Sequence, residues 1–240
     1  MQVIEATLLT HGKVGFASRE VGRMADTDPC ILNTALYYAL GIASGRYVDD
    51  THKPTYIEDT KAIADELYVT PAAPARVDRQ DPIRTEYLTT NRSNRSDKYA
   101  SGSEPAEKNI PTFERERTLA PDNVFQFYVF PYERDATTVA AELPSYIRVG
   151  KKRGKARVNY RVVDAQRRSG TFDLTHPLSI YDHDATPVGG VVMKQMQPTP
   201  VWFEGEFDTD YYAIEPPFPN EQRVCYPADA QFLRTKRDNA

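Results

Sequence analysis

Six cationic side chains fall within ten residues of the sequence, between Arg148 and Arg157. Apolar residues flank this segment on both sides, which is typical of two strand ends joined by a turn that contains glycine. Such a turn brings its cations together on one projecting tip, where a polyphosphate backbone is the natural counterpart. Glycines in the turn would also let backbone N–H groups approach a phosphate closely. The predicted contacts of this hairpin are Arg148, Gly150, Lys151, Lys152, Arg153, Lys155 and Arg157.

The charge of the chain is strongly polarised along the sequence, although its formal net charge is only −4. Residues 145–170 hold nine Lys or Arg and one acidic residue, whereas residues 171–231 hold ten acidic residues and two cations. Positive charge concentrated in one segment favours a nucleic-acid partner. A solvated hairpin without a ligand is the alternative interpretation.

A second polar cluster lies in the predicted loop 10–23, between a strand at residues 2–9 and a helix at residues 29–43. Asp28 is a good N-cap for this helix, Pro29 fits its first turn, and glycines at 41 and 45 would end it. The loop would lie at one end of a sheet, where Ser18 and Arg19 would bind a phosphate or a base edge. An ordinary surface ion pair between Arg19 and Glu20 is the alternative. Arg23 of this loop is a further predicted nucleic-acid contact, and the loop also carries His11 and Lys13.

Further segments complete the predicted fold. Short helices are predicted near residues 57–67 and 136–143, strands at 124–130, 155–163, 189–196 and 199–206, and an extended tail at 210–219. The aromatic residues of strand 124–130 are expected in the core and not as a base-stacking platform. This order predicts an α+β fold with an antiparallel sheet, of which the ferredoxin-like (RNA-recognition-motif-like) fold with a protruding basic hairpin is the leading case. We expect one domain over residues 1–240, with 46–121 as an insertion or arm and 171–240 as an acidic, strand-rich part.

Other classes of protein are less consistent with the sequence. No apolar run approaches the ~20 residues that span a bilayer, and an acidic residue near the N-terminus argues against a signal peptide, so we expect a cytoplasmic protein without a membrane partner. Cys30 and Cys225 lack metal-ligand spacing and are expected as free buried thiols. Residues 182–184 (Asp-His-Asp) look like a metal triplet, but neighbours on an extended segment point to opposite faces. We therefore expect neither a metal nor a cofactor.

Two blocks of the sequence resemble the Cas-five (Csc-one) subunit of type I-D CRISPR effector complexes. The first comprises residues 16–22, 27–29 and 33–41, and the second comprises residues 145–151 with its continuation at 155–158. The blocks lie over a hundred residues apart and occur in the expected order. Members of the family often carry apolar residues where this chain has Lys152 and Arg153, so its turn is more basic than the family pattern requires.

The resemblance implies both a fold and a function. Such subunits are similar to RNA-recognition-motif proteins with a thumb-like hairpin, and they cap the 5′ handle of the CRISPR RNA in the Cascade surveillance complex of antiviral defence. They contact the backbone and large subunits, near the place where the protospacer-adjacent motif of target DNA is read. A different type I-D subunit is thought to process the guide, so the resemblance implies that this chain is not an enzyme.

Two alternatives remain open at this point. A metal-independent ribonuclease of the same fold would need only a base, an acid and a cation at the scissile phosphate, and His11, Lys151 and a tyrosine are available. A structural adaptor without nucleic-acid contact would use the basic hairpin to dock on an acidic partner protein.

Overall fold

The computed structural model describes residues 1–21, 24–45, 55–75, 83–91, 113–151, 153–215 and 223–238. The strands in these residues are β1 (Gln2–Thr10), β2 (Arg19–Val21), β3 (Met24–Asp26), β4 (Leu67–Val69), β5 (Ala73–Pro74), β6 (Thr85–Asn91), β7 (Phe113–Leu119), β8 (Val124–Pro131), β9 (Tyr146–Val149), β10 (Gly154–Leu174), β11 (Leu178–Ser179), β12 (Val192–Lys194), β13 (Val201–Ile214) and β14 (Val224–Pro227). The helices are α1 (Asn33–Ala39), α2 (Tyr56–Asp59), α3 (Ala136–Glu142) and α4 (Arg234–Arg237).

The largest feature is a ten-stranded sheet whose main path runs β11-β13-β10-β1-β8-β4. β1 lies inside this path and pairs antiparallel with β10 on one side and with β8 on the other. β8 in turn pairs antiparallel with β4. The described chain is therefore mostly β, with few and short helices and a large antiparallel sheet. The sheet agrees with the prediction, whereas two of the helices are much shorter than expected.

The core is built around β1 and β8. Val3, Ile4, Ala6 and Leu8 of β1 are all fully buried. The aromatic side chains of β8 are buried too, which confirms that this strand belongs to the core and is not an open stacking platform. They are Phe125, Phe127, Tyr128 and Phe130.

α1 begins at Asn33 and not at Pro29, so the predicted helix start is wrong. The chain before the helix is held extended by contacts that are distant in sequence. Ile31 exchanges two backbone hydrogen bonds with Ala72, and the N–H of Asp28 donates to Ser18 Oγ at 3.2 Å. The helix ends at Ala39, and Gly41 follows with φ +73°, the left-handed conformation expected of a glycine that stops a helix.

The segment 46–121, predicted as an insertion or arm, contributes strands to both sheets in its described part. Its described part includes β4 and β5, which pair with β8 in the main sheet. The helix predicted at 57–67 is reduced to α2 and a series of turns, because Leu67 already belongs to β4. α3, by contrast, agrees with the prediction, and Asp135 caps it by accepting a hydrogen bond from the N–H of Thr138 at 2.8 Å.

A second, four-stranded sheet has the order β2-β3-β7-β6. β2 lies inside the segment that was predicted as a loop and pairs antiparallel with β3, which follows that segment. β3 in turn pairs in parallel with β7. The loop after β1 reaches this sheet as well, since Val14 and Leu119 exchange two backbone hydrogen bonds. Tyr87 and Leu88 lie in β6, which pairs antiparallel with β7.

The C-terminal part is dominated by two long strands. β10 has 21 residues, and its second half pairs antiparallel with the 14-residue β13. The prediction of an extended tail at 210–219 is therefore wrong for residues 210–214, which belong to β13. Residues 216–219 lie outside the described part. No helix among the described residues is long and apolar enough to cross a membrane.

Candidate nucleic-acid interface

The basic segment forms the predicted hairpin of β9 and β10. The register places Arg148 opposite Lys155 and Tyr146 opposite Arg157. Exposed and buried residues alternate along both strands, so these four side chains share one exposed face, while Ile147 and its neighbours face the core. We call these four residues the basic face.

The charges of the basic face are not neutralised within the described structure. No described carboxylate forms an ion pair with Arg148, Lys155 or Arg157. Further along β10, Arg161 is paired with Glu5 at 2.8 Å, so the uncompensated charge ends there. Uncompensated cations on one face attract anions, and phosphate is the commonest polyanionic partner.

Tyr146 is the functional candidate that the sequence analysis missed. Its side chain is 56% exposed, and the Nζ atom of Lys155 lies 4.8 Å from the centre of its ring. A cation over an aromatic ring can hold a phosphate while the ring accepts a stacked base. The sequence signal that could have identified Tyr146 is the alternation along β9, because it places Tyr146 on the same face as Arg148.

The turn of the hairpin is docked on the loop after β1. The N–H of Lys151 donates to the carbonyl oxygen of Gly15 at 2.8 Å, and the N–H groups of His11 and Gly12 donate to the oxygen of Lys155. The prediction of a free, projecting tip is therefore wrong for the backbone of the turn. The basic hairpin and the loop after β1, two polar segments that lie far apart in the sequence, are therefore neighbours in the structure.

The glycines of the hairpin make this docking sterically feasible. A Cβ atom on Gly150 would lie 2.9 Å from the Gly15 oxygen, and one on Gly154 would lie 2.4 Å from the Lys13 oxygen. Gly150 also has φ +80°, which side-chain-bearing residues rarely adopt. The close approach of two protein segments thus explains these glycines without a phosphate.

Two of the three remaining cations of the turn lie in the described part of the chain. Lys151 and Arg153 are exposed, and Arg153 adopts φ +52°. The oxygen of Arg153 accepts a hydrogen bond from Arg148 Nη1 at 3.2 Å, which ties the turn to the basic face. Lys152 and Arg23, both predicted contacts, lie outside the described residues.

Ser18 does not face the surface. It is 2% exposed, its Oγ accepts a hydrogen bond from the N–H of Asp28, and its carbonyl oxygen accepts one from the N–H of Gln197. The prediction that this hydroxyl binds a phosphate or base edge does not fit this arrangement, because Ser18 is used to hold the loop to its neighbours.

Arg19 is half exposed and bound to carboxylates of its own chain. Its Nε donates to Asp26 Oδ2 at 2.9 Å, which raises the pKa of Arg19, and the charge of Asp28 adds to that effect. Burial alone would raise the pKa of Asp26, but hydrogen bonds from Arg117 and Arg19 outweigh it and hold that pKa below its ordinary value. The partner of Arg19 is therefore Asp26 and not Glu20.

A cleft of about 390 Å³ opens beside the basic face. It lies between the end of α1 and the hairpin, so it combines backbone groups of a helix end with the aromatic and cationic side chains of β9 and β10. Its lining consists of residues 38–41 and 146–148, Pro144 and Lys155.

The Asp-His-Asp triplet has a structural role in the part of the chain that is described. Asp182 is buried and accepts hydrogen bonds from Asn33 Nδ2 at 2.6 Å and Tyr68 Oη at 2.8 Å. Burial raises its pKa to about 6, although these bonds oppose the shift. His183 is buried against Trp202 and Phe207, and no group of three or more metal-binding side chains occurs among the described residues. Cys30 is free and buried, whereas Cys225 is free and only partly buried.

The fold and the site together define a mostly β protein whose large antiparallel sheet presents a basic hairpin beside a cleft. The family described as type I-D CRISPR-associated protein Cas5/Csc1 matches residues 1–235, and the chain belongs to that family. It is thus a Cas5 subunit of the type I-D CRISPR complex. A comparison with curated proteins finds no match.

Solved structures of other CRISPR proteins resemble the chain at low sequence identity. A chain in the cryo-EM structure of the type III-B Cmr-beta complex, bound to cognate target RNA and AMPPnP, is 11% identical with a TM-score of 0.49. The match covers 85% of this chain and 86% of that one. A CRISPR protein from Archaeoglobus fulgidus is 9% identical with a TM-score of 0.44, and the match covers 95% of this chain and 100% of that one.

Proposed function

We propose that this chain is the non-catalytic subunit that binds and caps the 5′ handle of the CRISPR RNA in the type I-D complex. In that role it contacts the backbone and large subunits, near the place where the protospacer-adjacent motif of target DNA is read. The observation that carries the proposal is the basic face, an exposed surface of three cations and one tyrosine without described counter-charges.

The chemistry of the basic face suits a single-stranded RNA end. Proteins hold such ends by placing cations on the phosphates and aromatic rings on the unstacked bases. Arg148 and Lys155 lie opposite each other on adjacent strands, and Tyr146 lies under Lys155. One phosphate and one neighbouring base can therefore be bound at the same place.

The cleft beside the basic face extends this surface. Ligand pockets commonly measure about 300–1,000 Å³, and the cleft of about 390 Å³ lies at the lower end of that range. It would accept one nucleotide of the handle and not a longer segment. Flanking phosphates would then be contacted less directly, by cations of the turn and of the neighbouring segment. These cations are Lys151, Lys152 and Arg153 of the turn, with Arg19 and Arg23 of the neighbouring segment.

The strand order supports an RNA-recognition-motif-like core. The core elements occur along the chain in the order β1, α1, β4, β8, α3 and β10, with shorter elements between them. Their strands lie in the sheet in the order β10-β1-β8-β4. This is the order of the ferredoxin-like fold, with the first strand in the middle and both crossovers carrying a helix.

One observation favours a second candidate function, cleavage of the guide precursor. The N–H of His11 donates to the oxygen of Lys155 at 2.8 Å, and Tyr146 lies beneath the same lysine. The backbone of His11 therefore lies beside the hairpin that carries Lys155 and Tyr146, and metal-independent RNA cleavage needs side chains of these types, a base, a cation and an acid, at the scissile phosphate. Incubation with precursor RNA in EDTA separates the two functions.

Photo-crosslinking tests the capping proposal in the assembled complex. Guide RNAs would carry 4-thiouridine either in the handle or in the spacer, and the crosslinked peptides of this chain would be identified by mass spectrometry. We expect handle positions to crosslink to the β9–β10 hairpin, with Tyr146 among the modified residues. Crosslinks to this hairpin from spacer positions alone would contradict the proposal.

A further inference from the structure

An exposed apolar patch lies within the acidic C-terminal part of the sequence, on β12 and the segment that leads into it. Large exposed apolar side chains elsewhere in the described chain stand singly, whereas four of them are neighbours here. Their exposed fractions range from 43% to 60%, and they are Val188, Val191, Val192 and Met193. Clustered apolar exposure of this kind marks interaction surfaces more often than scattered single residues do.

The patch is held in a defined position along β13. The N–H of Val188 donates to the oxygen of Glu206 at 2.8 Å, and Val192 pairs with Glu204. A Cβ atom on Gly189 would lie 2.4 Å from Glu206 Oε2, so the glutamate side chain packs directly over the segment. The apolar residues therefore lie beside the acidic positions of β13.

The acidic residues beside the patch lack counter-charges. Glu204, Glu206 and Asp208 occupy alternate exposed positions of β13, and Asp173 of β10 faces Glu206 in the register. None of these four carboxylates forms an ion pair with a described cation. The nearby Lys194 directs its Nζ to Asp28, 3.5 Å away.

We propose that this apolar and acidic surface docks a protein partner whose own surface carries lysine or arginine around apolar residues. The partner is another protein subunit of the complex, so the inference rests on the complex membership that is part of the proposed function. An apolar centre with a charged rim is the usual anatomy of a protein interface, and opposite charge on the partner orients it. The same carboxylates repel phosphate, which separates protein docking at β12–β13 from RNA binding at β9–β10.

A second copy of the chain is a poorer occupant. Its complementary surface would be its own basic face, and such head-to-tail pairing is heterologous, so it leaves open ends that add further copies. It would also cover the basic face that the guide RNA requires.

Charge reversal in the assembled complex tests the inference. The chain would be co-expressed with the type I-D subunits and guide RNA, either as wild type or as Glu204→Lys/Glu206→Lys. The matched control, Glu58→Lys/Glu133→Lys, changes the net charge equally at two exposed residues elsewhere. We expect the test variant to lose at least about tenfold in affinity for the complex, measured by native mass spectrometry over a dilution series, while the control matches wild type.

Carbodiimide crosslinking of the wild-type complex identifies the occupant directly. We expect Glu204, Glu206 or Asp208 to form bonds with lysines of a different protein subunit. Bonds to a second copy of this chain, or a test variant that is retained as well as the control, would overturn the inference. Val192→Ser/Met193→Ser provides a second, charge-neutral variant that should weaken assembly if the double glutamate variant fails to fold.

Handle binding by each variant, measured separately, distinguishes the two proposals. A docking-surface variant that keeps its preference for the native handle but no longer assembles into the complex would support both the docking surface and the capping role. Crosslinks at β13 without any handle preference would leave the docking surface standing and remove the capping role.

Discussion

The N–H of Lys151 donates a hydrogen bond to the carbonyl oxygen of Gly15 at 2.8 Å. This bond joins the turn of the basic hairpin to the loop after the central strand, and the N–H of His11 reinforces it by donating to the oxygen of Lys155. The cations of the hairpin are therefore fixed relative to the sheet, and a fixed arrangement loses less entropy when an RNA end binds.

Gly154→Ala should destabilise this junction. The new Cβ atom would lie 2.4 Å from the carbonyl oxygen of Lys13, which is backbone and cannot move alone. We expect a loss of about 1–3 kcal/mol in the free energy of unfolding, the range typical of overpacking. Gly190→Ala is the matched control, since nothing lies within 4 Å of its Cβ position. Equal denaturation midpoints for the two variants would contradict the account of the junction.

Replacing Arg148, Lys155 and Arg157 with Ala should reduce the salt dependence of RNA binding. Each phosphate contact with single-stranded RNA contributes about 0.7 to the slope of log K against log salt, so losing three contacts lowers the slope by roughly two units. Arg134→Ala is the control, because Arg134 is paired with Glu142 away from the hairpin. A slope that does not change in the triple variant would mean that the basic face holds no phosphate.

The turn cations provide a separate comparison. Replacing Lys151, Lys152 and Arg153 with Ala should also lower the salt slope, by up to roughly two units if all three contact phosphate. A smaller change than in the basic-face variant would indicate that the turn lies beside the RNA and not beneath it. Fluorescence anisotropy over a salt series measures both variants.

Asp26→Asn should affect stability more than RNA binding. Its carboxylate is almost completely buried and accepts hydrogen bonds from Arg19 and Arg117. Removing its charge leaves two guanidinium groups with a weaker partner, and we expect a loss of about 1–3 kcal/mol in chemical denaturation. Asp210→Asn, which alters an exposed pair, should cost less stability than Asp26→Asn. A larger effect of Asp26→Asn on RNA affinity than on stability would contradict the structural role of Asp26.

His183 should make the protein less stable in acid. Burial lowers its pKa from 6.5 to about 4, and its ring nitrogens have no hydrogen-bond partner in the described structure. The folded state thus favours the neutral ring, and stability is lost as the pH falls from the unfolded value of 6.5 towards 4. Between about pH 7.5 and pH 5, wild type should lose about 2 kcal/mol relative to His183→Phe. Parallel stability curves for the two proteins would show that the ring is not held neutral.

Wild-type chain should leave precursor RNA intact in EDTA. A non-catalytic subunit gives no product whether or not His11 is present, and gel electrophoresis of labelled RNA measures this directly. Site-specific cleavage that is lost in His11→Ala would contradict the non-catalytic role and favour the ribonuclease function.

The hairpin could be predicted because its signal is local. Alternation in β9 and β10 and the glycines between them determine both the strands and the exposed face. The docking of the turn could not be predicted, since the partner of Lys151 is a backbone oxygen more than a hundred residues earlier. The burial of Ser18 could not be predicted for the same reason, because it results from tertiary contacts with Asp28 and Gln197.

The errors in the predicted elements also arise from tertiary contacts. Asp28 and Pro29 are good helix-start residues, yet Asp28 is used by Arg19 and Lys194, and Ile31 pairs with Ala72. Residues 210–214 were predicted as part of an extended tail because the aromatic and apolar residues of 210–219 stand between prolines. The long β10 strand offers them a paired edge that no local pattern reveals.

The most direct test of the central claim is a filter-binding titration of guide RNA with its native 5′ handle against the same RNA with the handle scrambled. Both titrations would be made at fixed salt with the neighbouring backbone subunit present. We predict a clear preference for the native handle, which should be lost when Arg148, Lys155 and Arg157 are replaced with Ala. Equal binding of the two RNAs by wild type would contradict the capping role and leave only a generic basic surface.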